Sequence, residues 1–428
     1  MSKIIIDEKK INEFLTRGVK EVYPNQETLK KVLMSGKKLR IYNGIDPTGK
    51  LHIGHSVVLK KLRQMQDLGH EVIILIGDFT ARIGDPTDKL AGRKKLSKEQ
   101  VKKNSRDYKK LIGKILDFKK ANVRFLHNEK WSNKLKPEDM LEIASYFTVS
   151  RLLERDMFQN RLKQGKEINV NEFLYPIFQA YDSVTMDVDM EIGGNDQTFN
   201  MLAGRTLMRK IKNKEKFVLT TKLLTDSSGK KMGKTEGNMV NLDEPAEEMY
   251  GKIMSWSDNL IVLGFELCTD VLMSEIEKIK KELTENKVNP RNYKMKLAYE
   301  IVKIYHGEKQ AKAAQEYFVR IVQKKETPDK ITNYKLEITN WKLIDLLVKI
   351  KLATSNSEAR RLIEQKGIKV NSRVVNDINQ EIKITKNGIL IQRGKRQFVK
   401  IVKHENTKTR KHKNTLFVIP PMTIGKIQ

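Results

Sequence analysis

The sequence predicts an α/β protein: a parallel-sheet domain comes first, an α-helical domain follows, and a small α+β domain lies towards the C-terminus. Three observations predict it. From residue 38 the chain reads strand, turn, helix, strand, with LRIYNG closed by Gly44, DPTG as the turn, and HIGHSVVLKKLRQMQDLG carrying apolar residues at helical spacing. VIILIGD then runs apolar without alternation, as a parallel strand covered on both faces does. Residues 245–325 are almost wholly helical in pattern, and residues 341–403 read as two helices followed by short strands with VNSR and TKNG turns.

The elements follow in order along the 428 residues, a length that calls for two or three domains. The N-terminal MSKIIIDEKKINEFLTRG mixes acids and bases in an amphipathic helical pattern, with neither a signal core nor the acid-poor character of a transit peptide. No apolar run approaches membrane-spanning length, so a cytoplasmic protein without a membrane partner is expected. The single Cys268 excludes an internal disulfide and a multi-Cys metal site, and suits a reducing compartment. The strand-helix-strand unit from residue 38 is the building block of a Rossmann-like, nucleotide-binding sheet. Helical text covers residues 97–120 and 137–164. MDVDMEIGGNDQ returns to strand and loop, a helix spans 201–212, and the loop DSSGKKMGKTEGN closes the half. The expected division is a Rossmann-like domain with a helical insertion at 1–240, a helical domain at 241–328, a small α+β domain at 329–403 and a basic tail at 404–428. Residues 328–340 read as a linker.

With 83 Lys+Arg against 53 Asp+Glu the formal charge is +30, which favours a polyanionic partner, most commonly a phosphodiester backbone.

Chemistry concentrates in four places. In Pro47-Thr48-Gly49-Lys50-Leu51-His52-Ile53-Gly54-His55, two histidines flank a glycine where a strand hands over to a helix. A helix start offers free N–H groups and a positive dipole end, imidazoles can donate to phosphate oxygens, and Gly54 lets a flat purine approach the backbone. In Lys230-Lys231-Met232-Gly233-Lys234-Thr235, two flexible ammonium groups three apart can close over a polyphosphate. A Walker A loop would need glycine where Ser228 stands, so that reading fails at its first position. Tyr175, Gln179 and Asp182 fall on one helical face, which therefore needs a polar ligand or water, and Pro176 implies that the helix begins near Leu174. Arg360 and Arg361 lie on a basic helix beside a short strand pair, an arrangement suited to structured RNA.

HIGH in this setting, paired with the KMGKT variant of KMSKS, resembles the two signatures of class I aminoacyl-tRNA synthetases. Tyr-x3-Gln-x2-Asp resembles the amino-acid-binding helix of the tyrosyl-tRNA synthetases, bacterial type, and the C-terminal segment resembles the S4-like RNA-binding module that bacterial members carry. The resemblance spans residues 38–403. It implies a tyrosine–tRNA ligase that uses ATP with Mg²⁺ as a substrate pair, has no tightly bound cofactor, and acts on tRNA(Tyr) as a homodimer. It implies that Tyr175, Gln179 and Asp85 hold the α-ammonium of L-tyrosine, that Tyr42 and Asp182 reach its phenol, and that Gln197 lines the pocket. By the same resemblance Thr48, His52, His55, Lys231 and Lys234 are catalytic. Gly44, Asp46, Gly54, Lys89, Arg93, Gly194, Asp196, Met232 and Thr235 would bind ATP, and Arg360 and Arg361 RNA. Asn43 stands where a smaller residue is expected beside the ribose.

Overall fold

Six strands build the first sheet: β1 (Val19–Tyr23), β2 (Arg40–Ile45), β3 (Glu71–Ile76), β4 (Val123–His127), β5 (Met190–Gly194) and β6 (Phe217–Thr221). Their spatial order is β1-β6-β5-β2-β3-β4, all parallel except β1, which pairs antiparallel with β6. The computed structural model describes residues 3–85, 96–225, 239–323, 331–338, 340–385, 387–394 and 397–403. The chain forms two compact units, residues 1–318 and 319–428.

The expected strand-helix-strand unit is β2, the helix Ile53–Asp67 and β3, paired in register from Arg40–Glu71 to Ile45–Ile76. β3 is apolar throughout because both its faces are covered, and Val72 to Ile76 are all buried. Chain order reverses between β2 and β5, the kind of switch point where open parallel sheets bind ligands beyond their C-terminal ends. The two strands pair at Ile41–Met190 and Tyr42–Glu191, and the ladder stops there although both continue. Beyond this fork the Asn43 side-chain amide donates to the Ile192 carbonyl at 2.9 Å, so Asn43 bridges the parting strands.

The helix carrying Tyr175 runs Val170–Thr185, so its start lies upstream of the Leu174 expected from Pro176. Asn169 and Glu172 form a reciprocal cap, and Glu172 pairs with the buried Arg161 at 2.5 Å. These contacts hold a turn that proline alone would discourage. The helices Ala246–Met254, Leu260–Cys268, Met273–Thr284, Pro290–His306 and Glu308–Phe318 bear out the helical pattern. They share one continuous core with the sheet layer, joining Phe14, Leu62 and Met190 to Phe265, Leu297 and Ile301. Among the described residues no helix is long and apolar enough to cross a membrane.

In the second unit, β7 (Thr332–Leu336), β8 (Asn340–Lys342), β9 (Ile368–Val370), β10 (Arg373–Val375), β11 (Glu381–Lys383), β12 (Ile389–Arg393) and β13 (Gln397–Lys403) surround the helices Leu343–Lys349 and Asn356–Glu364. Five strands order as β10-β9-β12-β13-β7, and β11 pairs with β8. The stretch read as a linker thus contains β7, which lies parallel to β13 with Tyr334 opposite Ile401. Its alternation is too brief to show in sequence, and its partner lies far downstream. Asn371 and Ser372 both take positive φ (46° and 69°), turning β9 into β10 as a two-residue hairpin requires.

Gly69 ends the Ile53–Asp67 helix region with φ +93°, and a Cβ there would collide with the Lys3 carbonyl. Gly69→Ala is expected to cost about 2 kcal/mol or more, from backbone strain plus the collision. Chemical denaturation checks this: an unchanged midpoint would refute it.

Candidate active site

The loop after β2 and the start of the Ile53–Asp67 helix form one half of the site. His52 is extended (φ −130°, ψ 172°) and caps the helix. Its Nδ1 accepts from the Gly54 N–H at 3.2 Å, and its own backbone N–H donates to His55 Nδ1 at 3.1 Å. A ring nitrogen that accepts carries no proton, so each neutral imidazole holds its proton on Nε2. The rings lie 4.0 Å apart at 52°. Two Nε2–H donors therefore accompany the positive end of a four-turn helix, a pairing suited to phosphate. A Cβ on Gly54 would come within 3.0 Å of the His52 ring, so the missing side chain makes room for the imidazole. Beside Gly44 a Cβ would meet no atom within 4 Å.

The turn itself is tied down. Thr48 N–H donates to the Asp46 carbonyl at 2.8 Å, Asn104 to the Pro47 carbonyl at 2.8 Å, and Tyr108 to that of Gly49. On the other side Ile53 N–H donates to Val240 and Leu242 N–H to Leu51, each at 2.9 Å, while Lys50 pairs with Asp243 at 2.6 Å. Residues 240–243 are therefore stitched to the HIGH segment. At most about 20 Å of extended chain separates Lys234 from Val240. Lys231, Met232, Lys234 and Thr235 lie outside the described residues, as do Lys89 and Arg93.

The second half is a set of carboxyl groups at the C-terminal ends of the strands. Asp46, after β2, accepts from the Tyr175 hydroxyl at 3.0 Å and from Thr80 Oγ1 at 2.7 Å. A Cβ on Gly77 would collide with both Asp46 and Thr80. Asp85 accepts from Gln197 Nε2 at 2.8 Å and lies 3.6 Å from the Arg155 guanidinium, while Asn200 donates to Gln197 Oε1 at 2.8 Å. Arg155 is itself buried between the rings of Phe158 and Phe199. Asp182, 3% exposed, accepts from Trp131 Nε1 at 2.7 Å and Asn128 Nδ2 at 3.1 Å. Burial pushes its carboxyl up to about 8, against the lowering effect of those two donors. Burial likewise raises Asp196, which lies against Gly194.

Beneath them lies a buried polar knot. Gln179 Nε2 donates to Glu191 Oε1 at 2.9 Å, and the other Glu191 oxygen pairs with the Lys216 ammonium. Lys216 also donates to Ser183 Oγ at 2.9 Å, and Ser183 shares a 2.9 Å hydrogen bond with the Tyr42 hydroxyl. Tyr42 is wholly buried, and burial, then Glu191, hold its phenol well above the usual range.

Tyr175, Gln179 and Asp182 thus share the face that their spacing predicts, and each meets a different segment: Asp46 after β2, Glu191 in β5, and Trp131 and Asn128 after β4. Asp85 and Gln197 meet each other. Tyr42 sits in the floor, its hydroxyl engaged by Ser183. In the second unit Arg360 and Arg361 are exposed on the helix Asn356–Glu364, whose other side buries Ala359 and Ile363. Sequence reasoning missed Thr80, Asn128, Trp131, Arg155, Ser183, Glu191 and Lys216. None stands in a pattern that separates it from ordinary core or surface text, and Lys216 is one lysine in a basic chain.

Comparison with known proteins places the chain in a family. The family described as "tRNA synthetases class I (W and Y)" matches residues 34–323, and the "Tyrosine--tRNA ligase SYY-like C-terminal domain" matches residues 323–401. The chain is 45% identical over 395 residues to tyrosine--tRNA ligase 2 of Clostridium acetobutylicum, covering 91% of this chain and 98% of that one. It is 43% identical over 399 residues to the tyrosine--tRNA ligase of Thermotoga maritima, covering 92% and 98%. Among solved structures, a C-terminally truncated mitochondrial tyrosyl-tRNA synthetase of Aspergillus nidulans superposes with a TM-score of 0.62 at 26% identity, over 73% of this chain and 93% of that one.

The Asp182 carboxyl has a direct thermodynamic consequence. As pH rises from about 4, the unfolded chain gives up this proton while the folded chain keeps it to about 8, so stability falls across that window. Asp182→Asn is expected to flatten the fall. Denaturation of the ligand-free protein at about pH 5 and about pH 8 checks it, and equal losses in both proteins would refute the assignment.

Proposed function

We propose a two-step ligation on one premise: the chain belongs to the class I tRNA synthetases of the W and Y type and is a tyrosine--tRNA ligase. Members of this family use ATP. In the first step the tyrosine carboxylate attacks the α-phosphorus of ATP in line, forming the mixed anhydride and expelling pyrophosphate. In the second, a terminal ribose hydroxyl of tRNA attacks the anhydride carbonyl and releases AMP. The carboxylate is already a competent nucleophile, so positioning and charge stabilisation supply the catalysis.

The observation that carries the reading is a juxtaposition: the imidazole-capped helix start stands at the same sheet edge as the buried Asp85 and Asp182 carboxyls. At the helix start the Nε2–H groups of His52 and His55, with Thr48, act on the triphosphate. Lys231 and Lys234 act on the same triphosphate, with Lys89 and Arg93 assisting on pyrophosphate. Gly44, Asp46, Gly54, Gly194, Asp196, Met232 and Thr235 complete the ATP contacts. Tyr175, Gln179 and Asp85 hold the α-ammonium of tyrosine, and Gln197 keeps Asp85 in place. Asp182 accepts a hydrogen bond from the substrate phenol, with Tyr42 bracing Ser183 beside it. Mg²⁺ enters on the ATP phosphates. Among the described residues no cluster of three His, Cys, Asp or Glu side chains is placed to hold a metal.

In this reading the S4-like unit at 329–403 contacts the tRNA(Tyr) backbone through Arg360 and Arg361. The helical domain at 241–328 serves the anticodon region, residues 1–240 carry the chemistry, and the enzyme works as a cytoplasmic homodimer.

Amino-acid-dependent exchange of pyrophosphate into ATP tests the proposal. Tyrosine should support exchange and tryptophan should not. Exchange with no amino acid would overturn it. Asp182→Ala should lose far more tyrosine than phenylalanine activation, because of the two substrates tyrosine alone carries a hydroxyl for that carboxyl. Equal losses would move the phenol elsewhere. Removing both loop ammonium groups, Lys231→Ala/Lys234→Ala, should lower kcat by about 10²-fold or more with little change in the tyrosine KM. A tyrosine KM defect at unchanged kcat would place these lysines outside the transition state.

A further inference from the structure

Lys216 immediately precedes β6 and is 0% exposed. Its ammonium meets as many acceptors as it has protons: the Glu191 carboxylate, Ser183 Oγ at 2.9 Å and the Met201 carbonyl at 3.2 Å. The Tyr42 ring centroid lies 5.5 Å away. Gly204, inside the helix Thr198–Lys212, makes the room: a Cβ there would collide with Lys216 Nζ and come within 2.8 Å of Ser183 Oγ. Stability is a poor reason for such a pair, since apolar residues of similar volume often serve a core as well or better.

The second Glu191 oxygen supplies a better reason. It accepts from Gln179 Nε2 at 2.9 Å. An ionised carboxylate only accepts, so it fixes the amide nitrogen on its own side and turns Gln179 Oε1 the other way. Oε1 is the atom that an incoming ammonium group requires. Without Lys216, the carboxylate buried here would lose its charged partner, and nothing would hold it as an acceptor towards Gln179.

We propose that the buried Lys216–Glu191 pair is a positioning device for the amino-acid site, setting which end of the Gln179 amide faces the substrate. The proposal rests on the reading that Gln179 holds the α-ammonium of tyrosine. Lys216 and Glu191 act through Gln179 and touch no substrate themselves.

The test is pyrophosphate exchange by the full chain carrying Glu191→Leu/Lys216→Met, in which both charges leave together and neither is stranded. The tyrosine KM should rise about tenfold or more, with kcat and the ATP KM within about threefold of the unsubstituted chain. In a Gln179→Ala background the same two changes should add less than about twofold to the tyrosine KM, because their route is already cut. Should the Leu/Met variant not melt with the unsubstituted protein, Glu191→Gln/Lys216→Met keeps a polar side chain of the same shape at 191 and enters the same cycle against the same limits. An unchanged tyrosine KM overturns the proposal, as does a rise that persists in full without the Gln179 amide. Failure of the unsubstituted chain to exchange with tyrosine strikes the function reading instead.

Discussion

The site depends on the parting of β2 and β5. Both strands are parallel members of one sheet, yet their ladder ends at Tyr42–Glu191 while each runs on towards its own loop. A sheet whose chain order reverses at this point sends the following connections to opposite faces and leaves a crevice beyond the strand ends. β2 beyond the fork leads to Asp46 and the HIGH turn. β5 leads to Gly194, Asp196 and Gln197. The helix Val170–Thr185 lays Tyr175, Gln179 and Asp182 against the same edge, and each finds its partner on a different segment. One topological fact therefore places the phosphate-binding helix start and the acidic pocket side by side.

The two halves are prepared by different physics. At the helix start, backbone geometry chooses the tautomer: each imidazole accepts an N–H of the cap at Nδ1, so its proton sits on Nε2. No ionisation is needed. In the pocket the difficulty is the reverse, because carboxyl groups must be kept among apolar neighbours. Asp46, Asp85, Asp182 and Glu191 each have side-chain donors in place: Tyr175 and Thr80, Gln197, Trp131 and Asn128, Gln179 and Lys216. Donors fixed before the substrate arrives need little reorganisation during reaction, which is the condition for strong electrostatic selectivity.

The parts of this arrangement that were legible in the sequence are those with local spacing. HIGH after a strand-turn, the Tyr-x3-Gln-x2-Asp face, and the continuous apolar β3 each follow from backbone periodicity over a few residues. The strand-helix-strand unit and the helical run after residue 245 follow from the same source. The Val170–Thr185 helix starts upstream of the point that its proline implies because a partner off the helix, Arg161, holds Glu172 and outweighs the proline. β7 reads as a linker because its partner β13 lies far along the chain. The donors to the carboxyl groups were invisible for one reason: they arrive from other strands. Trp131 and Asn128 follow β4, Arg155 lies between the helices Val149–Leu153 and Asp156–Lys163, and Lys216 precedes β6. None has a spacing relation to the acid it serves.

Lys216 shows how far composition can mislead. A basic chain invites the reading that any one lysine is surface charge for a polyanion, and for most positions that is a sound default. The few that are buried invert the argument, because each must be matched by an acceptor set and by space. Both matches are present here, in Glu191 on β5 and in the missing side chain of Gly204 on the neighbouring helix. The glycine is a helix-interior residue whose propensity cost of about 1 kcal/mol has no local return. Its return is the ammonium that fits where a methyl group would stand, so a fold-level cost on one helix is tied to the orientation of an amide on another.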